Sequence, residues 1–137
     1  MREILFRGKR IDNREWVEGF LVKKIDPLIG NECCFILAQE YDTSCIDGQP
    51  THLQSLMTWY KVISETVGQY TGMTANGKKI FEGDILTLNK WKPCYVVKFE
   101  DGTFCMVGTA IPIRHANKFE VIGNIHDNPE LLEGGAD

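Results

Sequence analysis

The sequence predicts a mainly β protein of the β-rich α+β class, and three observations carry that reading. Between Thr66 and Leu86, four glycines (Gly68, Gly72, Gly77 and Gly83) cut a run rich in β-branched and aromatic residues into strand-length pieces. Two dipeptides, Asn76-Gly77 and Asp101-Gly102, stand between apolar runs, and both residue types suit the positive φ that the centre of a type I′ hairpin turn demands. Pairing on paper across Asp101-Gly102 sets Glu100 opposite Thr103, Phe99 opposite Phe104, Lys98 opposite Cys105 and Val97 opposite Met106. This register puts Val97, Phe99, Phe104 and Met106 on one apolar face and Lys98, Glu100, Thr103 and Cys105 on the other.

From the N-terminus, Glu3 to Arg10 and Glu15 to Val22 flank Asp12-Asn13 and form a first hairpin, with Ile4 and Phe6 answering Trp16, Phe20 and Val22. Trp16 is expected in the core of this hairpin, with ligand stacking as the alternative. Lys23 to Asn31 reads as a loop, and Cys33 to Ala38 as a short strand buried on both faces. Tyr41 to Pro50 reads as a surface excursion with little structure of its own. In Thr51 to Ser64, Leu53, Leu56, Tyr60 and Ile63 fall at helical spacing while Trp59 to Ile63 has strand composition, so an irregular or helical turn and then a strand from Thr58 to Ile63 is expected.

After the central stretch, Gly83-Asp84 should bend the chain into a strand from Ile85 to Asn89, and Lys90-Trp91-Lys92-Pro93 should turn it. Ile111-Pro112-Ile113 is an edge or a connection, because proline lacks the amide hydrogen of a central ladder. Phe119 to Ile125 is the last strand. Asn128-Pro129 then caps and starts a short terminal helical turn. Together these elements suggest a small SH3-like barrel in the C-terminal half, Ile80 to Ile125, with an N-terminal β layer beside it. The expected division is 1–64 for an N-terminal hairpin and loop lobe, 65–132 for the barrel-like lobe, and 133–137 for a disordered tail, with one continuous domain as the alternative.

The motifs of the centre and both ends carry a family resemblance. Thr66-Val67-Gly68-Gln69-Tyr70-Thr71-Gly72 and Asn76 to Ile85, the opening with Phe6-Arg7-Gly8 and Trp16-Val17-Glu18-Gly19, and the closing Glu120 to Leu131 resemble the signature of the YopX family of small phage and prophage proteins. Lys23 to Tyr60 and Asn89 to Ala116 match weakly. The resemblance implies a phage or prophage setting. It brings no catalytic residues that could be carried over.

Composition bounds the function. The chain has 137 residues, 43% apolar and 25% charged, with net charge −4 and pI near 5.4. That is globular composition, and its acidity argues against coating DNA through phosphates. Locally the balance reverses: within the first fourteen residues Arg2, Arg7, Lys9, Arg10 and Arg14 outnumber Glu3 and Asp12. The N-terminus lacks the apolar core of a signal peptide and no apolar run reaches membrane-spanning length, so a cytoplasmic protein without membrane contact is expected. The odd set Cys33, Cys34, Cys45, Cys94 and Cys105 suits reduced thiols rather than a disulfide framework.

No residue pattern assembles a reagent. Cys33, Cys34, Cys45 and His52 could be drawn as a zinc set, but adjacent strand residues point to opposite faces and a Cys-x-x-Cys knuckle is missing. Glu82, Asp84, Asp101 and Asp127, the carboxylates of an imagined metal-dependent nuclease, each sit where a turn would use them. His126 lies at a position that need not be histidine for its turn, so it is given no catalytic role. The expectation is therefore a non-enzyme with no catalytic, cofactor or metal residues, whose marked positions Asn76, Gly77, Gly83, Asp84, Asp101 and Gly102 build turns. It would bind an unknown protein partner or assemble with its own copies. The alternative is a nucleic-acid contact, single-stranded or structured, through Arg7, Lys9, Arg10, Trp16, Lys90, Trp91 and Lys92, where cations track a backbone and rings stack on bases.

Overall fold

Residues 3–46, 49–88 and 93–133 are described by the structure, a computed structural model, with backbone alone for 39–46, 49–56 and 133. The fold is mainly β and divides into two units, Leu5–Val67 and a second that runs from Gly68 onward and includes the N-terminal residues through Ile4. No helix among the described residues is long and apolar enough to cross a membrane.

The first unit is an antiparallel sheet of β1 (Phe6–Lys9), β2 (Trp16–Ile25), β3 (Glu32–Ile46) and β4 (Gln49–Val62), in the order β4-β3-β2-β1. Strand alternation sends Val17 and Leu21 of β2, Cys34 and Ile36 of β3 and Val62 of β4 to one face, where they pack with Phe6 and Val67 as the unit's core. Each fully buried aliphatic there stabilises the fold by about 1.5–3 kcal/mol. The sheet curls around this core until the end of β1 meets β4: Arg10 bridges to Val62, the Ile11 N–H donates to the Lys61 carbonyl at 3.0 Å, and the Ile63 N–H donates to that of Lys9 at 2.8 Å. Gly8 permits the approach, because a Cβ there would lie 3.0 Å from the Val62 side chain. A 3₁₀ turn, Ser64–Thr66, closes the unit. In it the buried Thr66 hydroxyl accepts the Lys9 N–H at 2.9 Å and donates to the Ile63 carbonyl at 2.6 Å.

Three expectations for this unit are corrected. The described residues of the excursion expected at Tyr41 to Pro50 and the irregular turn expected from Thr51 are strand, since β3 and β4 pair from Cys34 opposite Val62 to Ile46 opposite Gln49, with one register shift at Ser44/Cys45. The strand expected at Cys33 to Ala38 is only its first part, and of its residues Cys34 and Ile36 are buried whereas Phe35 is half-buried. Helical spacing of four apolar residues lost to ladder hydrogen bonding, which spacing along one strand does not report.

The second unit opens with the hairpin β5 (Gly68–Ala75) and β6 (Lys78–Phe81). A four-stranded antiparallel sheet follows, ordered β10-β7-β8-β9, from β7 (Asp84–Thr87), β8 (Cys94–Glu100), β9 (Thr103–Val107) and β10 (Glu120–Asn124). A 3₁₀ segment, Ile113–Lys118, precedes β10, and the short α1 (Glu130–Glu133) follows it. Ile80, Leu86, Val97, Met106 and Phe119 form the core with Ala75 and Ala116. Barrel closure of the SH3-like kind for residues 80–125 is not among the strand pairings of the described residues. Glu133, assigned to a tail from sequence, ends α1, and residues 134–137 lie outside the described residues.

The expected turns form as their chemistry requires. Asn76 and Gly77 take φ of 51° and 80°, and Asp101 and Gly102 take 51° and 81°, the left-handed pair of a type I′ turn. The β8–β9 register is the one drawn on paper. Only Val97 and Met106 of its apolar face are buried, however, while Phe99 is exposed and meets Phe104 edge-on at 5.0 Å between ring centres.

Candidate functional site

β2 alternates Trp16, Glu18, Phe20, Val22 and Lys24 on the face opposite the first unit's core. Cross-strand register extends that face in rows: Arg7 beside Glu18, Lys9 beside Trp16, Phe20 beside Leu37 beside Trp59, and Val22 beside Phe35 beside Lys61. A solvent-facing sheet surface ordinarily alternates to polar residues. This one is aromatic and aliphatic, with Phe20 54% and Trp59 47% exposed, and Met57 exposed beside them.

The cations on this face lie over its rings. The Arg7 guanidinium carbon is 4.7 Å and Lys9 Nζ 5.6 Å from the Trp16 ring centre, and Lys24 Nζ is 4.5 Å from that of Trp59. Each such contact is worth about 0.5–1 kcal/mol where water reaches it. Phe35 meets Trp59 edge-on at 6.0 Å. The result is a patch whose rings are held in place by neighbours and whose charge is lopsided: Arg7, Lys9, Lys24 and Lys61 against Glu18 alone among the residues with described side chains.

Of the nucleic-acid candidates, the structure brings Arg7, Lys9 and Trp16 together and sends Arg10 elsewhere. Trp16 is half-buried under two cations and not a core residue, because its register partner is Lys9. Arg10 sits over the Tyr60 ring at 4.5 Å and pairs with Asp12 at 2.6 Å. Lys90, Trp91 and Lys92 lie outside the described residues. Sequence reading missed Phe20, Phe35, Trp59 and Lys24 as members of a surface. Period-two spacing in β2 carried part of the signal, but the rows exist only once β3 and β4 are laid beside it.

Hydrogen bonding from Arg10 holds the Asp12 carboxyl below the usual carboxylate range, and Asp12 in turn raises Arg10. A depressed folded-state pKa gives stabilisation that is present above the ordinary carboxylate pKa and lost as pH falls through the lower folded value. Arg10→Ala is expected to raise the Asp12 pKa toward the ordinary carboxylate range, read by NMR titration of its carboxyl carbon. An unmoved Asp12 would show that its own loop amides set the shift.

The marked positions of the second unit are occupied by folding tasks. The Asp84 carboxylate, 2% exposed, accepts the Phe81 N–H at 2.8 Å and closes the bend from β6 to β7. Gly83, at φ 95°, donates its N–H to the Val97 carbonyl and accepts the Ile125 N–H. Gly68 lies so close to Glu82 that a Cβ would stand 2.5 Å from its carbonyl oxygen. In the closing motif Asn124 Oδ1 accepts the N–H groups of His126 and Asp127, while its Nδ2 donates to the Asp127 carboxylate at 3.2 Å. Asn128, expected as a helix cap, turns its Oδ1 back to the Asn124 N–H at 3.2 Å. Cys33, Cys34, Cys94 and Cys105 form no disulfide among the described residues. The side chains of Cys45 and His52, drawn into the zinc set from sequence, lie outside the description.

Fold and surface together define a small β protein of two antiparallel units, one of which displays an aromatic, cation-laced sheet face. The chain belongs to the YopX family, whose sequence model, described as YopX protein, matches residues 5–133. No curated protein matches the sequence. Among solved structures it is similar to protein EF1440 from Enterococcus faecalis, at 24% identity and a TM-score of 0.61, with 96% of this chain and 99% of that one covered. That likeness is one of fold.

Proposed function

We propose that the protein is a phage or prophage accessory factor of the host cytoplasm that acts by binding and not by catalysis, docking an acidic, apolar-faced protein partner on the outer face of β1–β4. The observation that carries this reading is the row of exposed Phe20, half-buried Leu37 and exposed Trp59, rimmed by Arg7, Lys9, Lys24 and Lys61. Large rigid rings with adjacent Arg are the residues that dominate protein interfaces. The rim's excess of positive charge on an acidic chain favours carboxylates on the partner and disfavours the same face of a second copy.

A nucleic-acid reading draws support from the gathering of Arg7, Lys9 and Trp16, a combination that can follow a phosphate chain and stack a base. It is second because the Trp16 and Trp59 rings already carry cations of this chain over them, and a base would have to displace one.

Tagged protein recovered from prophage-bearing cells is expected to retain a partner that survives nuclease treatment. Phe20→Ala with Trp59→Ala should weaken that retention at least tenfold, since losing two interface rings removes about 2 kcal/mol or more. Thermal stability should change little, both rings being about half in water already. Retention of single-stranded DNA or RNA on filters at low salt, lost in the same variant, would transfer the face to the second reading. Undiminished capture by the variant would remove this face from function.

A further inference from the structure

We infer that β4 is a dimerisation edge, pairing antiparallel with β4 of a second copy across a two-fold axis. β4 is the terminal strand of its sheet, and the fold covers only its last residues, where Ile11 and Lys9 exchange backbone hydrogen bonds with Lys61 and Ile63. From residue 49 to 59 the outer edge has no ladder among the described residues.

Two features separate this edge from an ordinary one. The first is isolation. β2 pairs with β3 only as far as Phe20 opposite Leu37, yet β3 and β4 continue together from Ala38 opposite Thr58 to Ile46 opposite Gln49. That leaves a two-stranded ribbon roughly 30 Å long at about 3.3 Å per residue. Ribbons of two strands are marginal in water and gain stability from a third and fourth strand.

The second is the lack of protection. Edges that stay single are short or interrupted by Lys, Pro or bulges. Residues 51–59, Thr-His-Leu-Gln-Ser-Leu-Met-Thr-Trp, hold no Lys, Arg, Asp or Glu, and both Pro50 and the Ser44/Cys45 bulge lie at the ribbon's far end.

The geometry selects a second copy as the occupant. An edge strand is its own antiparallel complement: a two-fold rotation sets the donors of one copy against the acceptors of the other without any partner sequence. An uncharged run brings no like charges face to face when it does so. The ribbon's other edge, β3 beyond Leu37, carries Glu40 and Asp42, whose like charges disfavour self-pairing, so the β4 pairing closes at two copies. The ladder is made of backbone and the proposed docking face of side chains, so either can fail without the other.

Light scattering on the purified full-length chain is expected to give about twice the 15.6 kDa monomer mass at micromolar concentration. Adjacent strand residues donate to opposite sides, so one of Gln54→Pro and Ser55→Pro removes an outward donor only. That variant should run as a monomer while keeping its cooperative thermal transition. Hydrogen exchange on the unmodified chain supplies a second readout: alternate amides within residues 51–59 should slow at least tenfold between dilute and dimer-forming concentrations. A monomeric mass up to about 100 μM, assemblies beyond two copies, dimers surviving in both proline variants, or exchange that ignores concentration would each overturn the inference.

Discussion

Gly19→Ala is expected to lower the stability of the first unit by about 3 kcal/mol, the upper end for overpacking, and its unfolding midpoint by about 12–24 °C. A Cβ on Gly19 would stand 2.3 Å from the Leu37 carbonyl oxygen, 2.9 Å from its carbon and 3.1 Å from Ala38 Cα. All three neighbours are backbone, so no side chain can swing aside, and β3 itself must withdraw where it leaves the sheet after pairing with Phe20. The withdrawal would open the row Phe20, Leu37 and Trp59 and expose the core around Ile36. Hydrogen exchange should show the loss concentrated in β2 and the start of β3. A variant as stable as the parent would mean the two strands can separate without cost, contrary to the packing described.

Asp84→Ala is expected to cost about 1–3 kcal/mol and Asp84→Asn distinctly less. The carboxylate is buried and accepts the Phe81 N–H. Alanine leaves that donor dry and unsatisfied, whereas the asparagine oxygen can still receive it. Chemical denaturation followed by Tyr and Trp fluorescence would rank the three proteins. The grading is the informative part. A reactive carboxylate would lose its task equally in both variants, while a turn-closing acceptor is partly replaced by the amide. No loss in Asp84→Ala would remove this acceptor from the interactions that hold the unit, and equal losses would show that the amide oxygen does not replace the carboxylate.

Asp84 also shows how much of the molecule can be read before it folds. Local backbone chemistry was legible. Asn76-Gly77 and Asp101-Gly102 needed positive φ and took it, and a two-residue turn then left β8 and β9 one register to adopt. The family motifs were legible for the same reason, being largely turn and cap residues such as Asn124 and Asn128 whose partners lie a few residues away. Less of the candidate site was legible: Arg7, Lys9 and Trp16 were named as one group, but Arg10 was placed with them although its side chain turns to Asp12 and Tyr60.

The sequence by itself determined a β class, the hairpin turns, one hairpin register and the family. Each of these depends on residues close along the chain, where backbone sterics and alternation leave few choices. The tertiary structure alone decided the length of β3 and β4 and the make-up of the outer face. Beyond Leu37 the ribbon is set by pairing between β3 and β4 and not by β2, and the spacing of Leu53, Leu56, Tyr60 and Ile63 pointed to a helix instead. The face required Phe20, Leu37 and Trp59 from three strands to lie in one row, and only the hydrogen-bonded register of those strands brings them there.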